Sequence, residues 1–219
     1  MKDTGWVALS EFMRNPSAVG SAFPASMRMV DHLLEPLDWS EIELLIEYGP
    51  GSGRFTFEML RRMRADARLV AIETGAEFAK SLRSDCEDRR LIVVEGSARQ
   101  VNQHLDRHGL CQADCIVTGL PFSTLEHDEG DVIMRETALA LKSSGQLAAY
   151  QMRTAIKPLI ERHFSDLREA YEWWNIPPCH LYWASSPTGM QNARARDTAT
   201  EARNATPTPK PTKLGEAAR

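Results

Sequence analysis

Between residues 43 and 186, short apolar runs of strand length alternate with longer segments in which apolar residues recur at helical spacing. The runs are Leu44-Leu45-Ile46, Leu69 to Ile72, Leu91 to Val94, Cys115 to Val117 and Leu147 to Tyr150. Helical period marks 54–65, 76–84, 98–107, 129–142 and 154–163. Strand and helix in alternation predict a parallel sheet with helices on both faces. Two extended stretches follow, Leu167 to Trp174 and Cys179 to Ala184, joined by the corner Pro177-Pro178. A parallel crossover takes about a dozen residues or more, so this pair must run antiparallel. The expectation is an α/β fold, a mostly parallel seven-stranded sheet ending in a C-terminal antiparallel hairpin.

The flanks differ from this centre. From Pro187 onward there is no aromatic residue, and Ala, Thr, Pro and Arg dominate, a composition that predicts a disordered tail over 187–219. Residues 1–42 carry short apolar stretches, Trp6 to Met13 and Met27 to Leu34, and read as a helical cap ahead of the main domain at 43–186. These stretches suit either an amphipathic cover for the sheet or a segment lying on a membrane surface, with Arg14 and Arg28 near headgroup phosphates.

Composition narrows the partners. The 219 residues suit one domain with appendages, and the net charge of -4 lacks the basicity of a chain that mainly grips nucleic acid. The tail holds six basic residues (Arg194, Arg196, Arg203, Lys210, Lys213, Arg219) against three acidic (Asp197, Glu201, Glu216), which leaves the remainder at -7. No apolar run approaches the roughly 18 residues of a membrane-spanning helix. Four cysteines are too few for a disulfide scaffold, and no secretory signal opens the chain, so a reducing cytoplasm is expected. His104, His108, Cys111 and Cys115 are close in sequence, but H-x3-H-x2-C-x3-C is not a common zinc spacing, and Cys115 sits in an apolar strand. No metal is expected.

The chemistry centres on Glu47-Tyr48-Gly49-Pro50-Gly51-Ser52-Gly53, where the first strand runs into a glycine turn that opens a helix. The third glycine of a dinucleotide fingerprint is absent, with Arg54 or Thr56 in its place, and no Gly-Lys-Ser/Thr makes a phosphate loop. What remains is E-x-G-x-G-x-G, whose glycines admit close approach of a ligand to the backbone. This loop resembles the S-adenosylmethionine loop of the Rossmann-like class I methyltransferases. The resemblance implies that Gly49, Gly51 and Gly53 cradle the cofactor, that Glu47 organises the turn and reaches the methionine end, and that Glu73, ending the second strand, binds the ribose hydroxyls. Adenine is expected against Ser97 and Ala98, although Ser97 stands where that family often has an acid.

After the fourth strand comes Thr118-Gly119-Leu120-Pro121-Phe122. It resembles the N-x-P-Y/F signature of amino methyltransferases, including the ribosomal RNA adenine dimethylases, except that Gly119 replaces the Asn or Asp that holds a planar adenine amine. G-L-P-F is similar instead to bacterial phospholipid N-methyltransferases. So are Asn15 to Ser26, which resembles their N-x-x-x-V-G-x-x-x-P-(S/A)-S opening, and Asn175-Ile176-Pro177-Pro178-Cys179-His180-Leu181-Tyr182, which resembles their N-x-P-P-A-x-V-Y segment. The resemblance implies methylation of the amine of phosphatidylethanolamine and its partly methylated derivatives, by a peripheral protein at an anionic membrane surface on the cytoplasmic side. Tyr48, Phe122 and Tyr182 are the expected aromatic walls of the catalytic pocket. Gly119 is assigned to the cofactor, and Leu120, Pro121, Asn175 and Arg28 to the substrate. His127 is a candidate proton acceptor or an exposed loop residue. An RNA adenine methyltransferase, a methyltransferase of a soluble small amine and a non-catalytic binding protein are the competing readings.

Overall fold

The computed structural model describes residues 25–126 and 128–188. Five strands, β1 (Leu44–Tyr48), β2 (Arg68–Glu73), β3 (Leu91–Glu95), β4 (Ala113–Thr118) and β5 (Leu141–Gln151), are joined in parallel, and β6 (Phe164–Glu172) and β7 (Cys179–Pro187) complete the sheet. The order is β3-β2-β1-β4-β5-β7-β6, with β7 antiparallel to both neighbours. The expected mixed sheet and terminal hairpin are present. All five residues of β1 are buried, as a strand covered on both faces requires.

Six helices flank the sheet among the described residues: α1 (Met27–Leu34), α2 (Arg54–Arg62), α3 (Ala76–Asp85), α4 (Val101–Arg107), α5 (Glu129–Ala140) and α6 (Lys157–His163). One core lies under α4, α5 and α6, with Ile46, Tyr48, Ile116, Met134, Ile160 and Tyr182; the other lies under α1 and α2, with Leu33, Leu45, Phe55, Val117, Ala148 and Trp183. Successive side chains of a strand point to opposite faces, so each strand feeds both cores.

Some boundaries move. The helix expected at 129–142 stops at Ala140, because Leu141 is extended (φ -87°, ψ 144°) and begins β5 six residues before Leu147. The polar run Lys142-Ser143-Ser144 hides this start, its side chains lying at the less covered end of the strand. β6 begins at Phe164 rather than Leu167 and stops at Glu172 rather than Trp174; it is an edge strand whose solvent-facing positions carry Ser165, Asp166 and Arg168. Pro187 belongs to β7 and not to the tail.

Helix α1 resolves one of the two readings of its segment. Ser26 caps it, its hydroxyl accepting from the Met29 N–H at 3.2 Å. Met29, Val30, Leu33 and Leu34 are buried on the sheet, and Trp183 Nε1 donates to the Leu33 carbonyl at 2.9 Å. The apolar face of α1 is therefore occupied by protein, leaving Met27 exposed at its start. Asn15 to Pro24, the stretch Trp6 to Met13, Arg14, His127 and the tail beyond Thr188 lie outside the described residues.

Candidate functional site

Strand order reverses between β1 and β4, where open α/β sheets form a crevice at the carboxyl ends of their strands. Two loops meet there. The turn after β1 carries Gly49, Gly51 and Gly53 at φ +68°, +52° and +78°, a left-handed run that side chains other than glycine adopt at a cost. Gly53 begins α2, and a β-carbon on it would stand 2.9 Å from both Leu82 and Phe57, so space and conformation agree.

Glu73 fastens this turn from the next strand. Its carboxylate accepts from the Gly51 N–H at 3.1 Å and the Gly75 N–H at 2.8 Å, and the side chain is buried. It is thus no solvated strand-end acid. A carboxylate offers about four lone-pair sites, and the backbone takes two. Glu47 is also enclosed, with the Thr56 hydroxyl donating to it at 2.6 Å. Burial pushes its carboxyl up to about 8; the Thr56 hydrogen bond opposes this and the nearby Glu73 charge adds to it. On its own the group is therefore mostly a neutral acid at pH 7, and a ligand cation beside it would favour the carboxylate.

The Ser97 hydroxyl caps the 3-10 turn Ala98–Gln100 by accepting from the Arg99 N–H at 3.2 Å, and Ala98 is buried beneath it. The carbonyl of Ser97 lies 3.2 Å from His104 Nε2. Cys115 is enclosed in β4, where burial pushes its thiol up to about 12. Among the described residues no three His, Cys, Asp or Glu side chains converge as metal ligands.

The second loop follows β4. Thr118 Oγ1 accepts from the Leu120 N–H at 3.2 Å, and Gln151 Nε2 donates to the Leu120 carbonyl at 2.7 Å, so the start of Gly119-Leu120-Pro121 is pinned to β4 and β5. A β-carbon on Gly49 would lie 3.1 Å from the Leu120 side chain; the two loops are in contact. A β-carbon on Gly119 would lie 2.1 Å from the hydroxyl of Tyr150. Val117 pairs with Ala148 and Thr118 with Ala149, and continuing that register by one sets Gly119 beside Tyr150. The Tyr150 ring stacks on Phe55 at 4.7 Å, and burial, with the Glu47 charge next in importance, raises its phenol above the usual tyrosine range.

Tyr150 is the residue that sequence reading missed. It closed an apolar run, and only its pairing beside a glycine at the end of the preceding strand, 31 residues earlier, marks it out. The three aromatic residues expected as pocket walls lie elsewhere. Tyr48 is buried under α5, its hydroxyl 3.2 Å from Thr137 Oγ1, and Phe122 is buried in the same core. Tyr182 is fully enclosed there, its hydroxyl without a hydrogen-bond partner, and burial followed by the Glu169 and Glu161 charges pushes it up to about 12. The reason is strand parity: Tyr48 is one residue from Glu47, and Tyr182 pairs with Ala149, one residue from Tyr150. Both tyrosines therefore face away from the Glu47 and Tyr150 side, and Phe122, in the short turn after β4, packs into the same core as they do.

Asn175 and Arg28 also act structurally. Asn175 Oδ1 accepts from the Ser26 N–H at 2.9 Å and its amide donates to the Pro177 carbonyl at 2.7 Å, tying the β6–β7 turn to the start of α1. Arg28 pairs with the buried Glu172 at 3.5 Å.

No protein-family model matches the chain. The chain is similar to the ornithine lipid N-methyltransferase of Singulisphaera acidiphila, with 28% identity over 185 residues that make up 84% of this chain and 96% of that relative. A shorter similarity, 22% over 90 residues, spans 41% of this chain and 33% of the ribosomal RNA small subunit methyltransferase A of Mycoplasma mycoides. Among solved structures, the precorrin-6y C5,15-methyltransferase of Geobacter metallireducens matches with a TM-score of 0.59 and 16% identity, over 75% of this chain and 90% of that one. The fold is that of the class I methyltransferases.

Proposed function

We propose that this chain, a class I methyltransferase in fold, transfers methyl groups from S-adenosylmethionine to the amine of phosphatidylethanolamine and its partly methylated derivatives. It works from the cytoplasmic side at a membrane surface, and no helix among the described residues is long and apolar enough to cross a membrane. The ornithine lipid N-methyltransferase of Singulisphaera acidiphila aligns over 84% of this chain and 96% of its own length, and this supports the lipid class. An ornithine lipid is the alternative acceptor, favoured by that same similarity.

The residues of the crevice fit the cofactor. The glycine turn offers bare backbone, Glu73 keeps lone pairs free for two ribose hydroxyls beyond those given to Gly51 and Gly75, and Ala98 and Ser97 flank the place for the adenine. Glu47 offers its buried carboxylate to the methionine ammonium. When bound, the cofactor supplies an electrophilic methyl on a sulfonium, and the protein's contribution is placement of the nucleophile.

An alkylammonium titrates near the lysine reference of about 10.4 and must lose a proton before it can attack. An enclosed site disfavours the charged form and promotes that loss. For the unmethylated and monomethylated amines the Tyr150 hydroxyl then accepts from a remaining amine hydrogen and aims the lone pair, standing in for the side chain that position 119 lacks; the dimethylated amine has no such hydrogen and is aimed by the enclosure alone. The single observation that carries this reading is the Tyr150 hydroxyl lying within the space of a Gly119 side chain, which leaves no Asn or Asp to grip a planar adenine amine. The test is incubation with labelled cofactor and, separately, liposomes containing phosphatidylethanolamine, liposomes containing ornithine lipid, and ribosomal RNA. Label recovered in methylated phosphatidylethanolamine is the expected result; label recovered in RNA overturns the proposal.

A further inference from the structure

The turn between β6 and β7 presents apolar side chains to solvent. Trp173 and Trp174 are each 73% exposed and Ile176 is 81% exposed, whereas most other large apolar side chains among the described residues are enclosed. Met27, which follows the Ser26 that bonds Asn175 of the turn, and Met152, which follows the Gln151 paired with His180, are also exposed at this end of the sheet. Scattered exposed apolar residues are ordinary, but a contiguous group of this kind marks an interaction surface.

This turn is not a loose loop. Glu172, buried at its base, accepts from the Trp174 N–H at 2.9 Å, lies 2.9 Å from His32 Nδ1 and pairs with Arg28. Asn175, also buried, fastens the turn to Ser26 and to its own Pro177 carbonyl. Trp173 packs edge-on against Tyr171 at 4.4 Å, and the Arg28 guanidinium sits 5.7 Å from the centre of the Trp174 ring. Buried polar groups thus hold the backbone in one shape while the indoles point outward.

The position is equally specific. Gln151, which ends β5 and pairs with His180 at the start of β7, reaches the Leu120 carbonyl of the acceptor loop. The apolar turn therefore flanks the mouth of the crevice that holds Gly119 and Tyr150.

From this geometry we infer that Trp173, Trp174 and Ile176, with Met27 and Met152, form a rigid wedge that enters the headgroup region of a bilayer and brings the crevice to its lipid amine. The inference rests on the lipid reading above and adds the surface that meets the membrane. The occupant is a bilayer rather than a second copy of the chain. The patch is the tip of a turn, not a flat face; tryptophan suits the membrane interface; and the exposed Arg28 and Arg153 beside it meet anionic headgroups.

The test compares the full chain with its Trp173→Ala/Trp174→Ala variant, using vesicles of phosphatidylethanolamine and phosphatidylglycerol. Both indoles are exposed, so the variant keeps its fold, which circular dichroism checks. Co-sedimentation of the variant is expected to fall at least tenfold, with cofactor affinity by calorimetry and the rate on a short-chain, monomeric phosphatidylethanolamine unchanged. A Trp173→Phe/Trp174→Phe variant is expected to recover most of the vesicle binding. Equal sedimentation of variant and parent overturns the wedge and leaves the lipid reading to stand on the methylated product. A concentration-dependent dimer abolished by the same substitutions, with no vesicle binding by the parent, overturns it in favour of a second copy. Loss of sedimentation in a protein that methylates no lipid upholds the wedge and removes the catalytic reading instead.

Discussion

The hydroxyl oxygen of Tyr150 occupies the space into which a side chain at Gly119 would project, 2.1 Å from the position of its β-carbon. Gly119 has no left-handed φ, so space alone objects to a side chain there. Position 119 and Tyr150 form one unit of the site, and each constrains what the other can be.

Gly119→Ala is accordingly expected to destabilise the fold by about 1–3 kcal/mol through overpacking. Tyr150→Ala in the same chain removes the ring that it strikes. The two substitutions are therefore non-additive, the double variant being more stable than the sum of the singles implies. Urea denaturation of the four proteins measures this; strict additivity would show that the ring and position 119 do not meet.

Tyr150→Phe removes only the hydroxyl. Stability is expected to change by less than about 1 kcal/mol, because no protein hydrogen bond is lost. Methyl transfer is expected to slow at least tenfold with cofactor affinity unchanged. Single-turnover kinetics beside calorimetric titration separates the two, and an unaltered transfer rate would remove the hydroxyl from the reaction.

Glu47 gives a pH signature. Its carboxyl titrates near 8 in the fold, against 4.5 as the ordinary value. The unfolded chain releases this proton first as pH rises, so the native state holds more protons in between, and the contribution of Glu47 to stability falls from pH 4.5 to 8. Glu47→Gln abolishes that decline. Relative to the parent, the variant is expected to gain stability at pH 8 compared with pH 5 while binding S-adenosylmethionine more weakly. Thermal melts at the two pH values decide it, and an identical pH dependence in both proteins would contradict the burial argument.

Glu73→Ala is expected to cost about 1.5–3 kcal/mol, since the Gly51 and Gly75 N–H groups lose a charged acceptor. Cofactor affinity is expected to fall at least tenfold. Calorimetry measures the second effect, and retained affinity would move the cofactor away from this turn.

Tyr182→Phe runs the other way. The enclosed hydroxyl has no partner, so its removal relieves an unmet desolvation penalty of about 1–3 kcal/mol. A higher urea midpoint is expected; a lower one would reveal a partner for that oxygen.

Much of this was legible in the chain. Apolar runs of strand length between helical segments forecast the sheet, and Pro177-Pro178 forecast its antiparallel end, because chain length limits what a short link can join. The turn at Gly49, Gly51 and Gly53 was also legible, since a left-handed glycine turn is encoded within a few residues; Glu73 was singled out as the acid ending its strand, but its hold on the Gly51 N–H spans 22 residues and belongs to the fold.

Helical period places Lys142 at the end of a helix and assigns nothing to Ser143 and Ser144, yet all three belong to the less covered end of β5, where polar side chains carry no pattern. Asn175 and Arg28 sit in a family-like segment and beside it, but their partners, Ser26 and Glu172, come from across the fold.

The amino-acid order by itself determined the class of fold and the glycine turn, because both arise from local periodicity, backbone freedom and the reach of short connections. Only the tertiary structure decided which aromatic residue stands at the acceptor loop. A strand turns alternate side chains to opposite faces, so Tyr48 turns away from Glu47 simply as its neighbour in β1, whereas the displacement of Tyr182 from Tyr150 by one pairing position depends on register between distant strands, which no local pattern records.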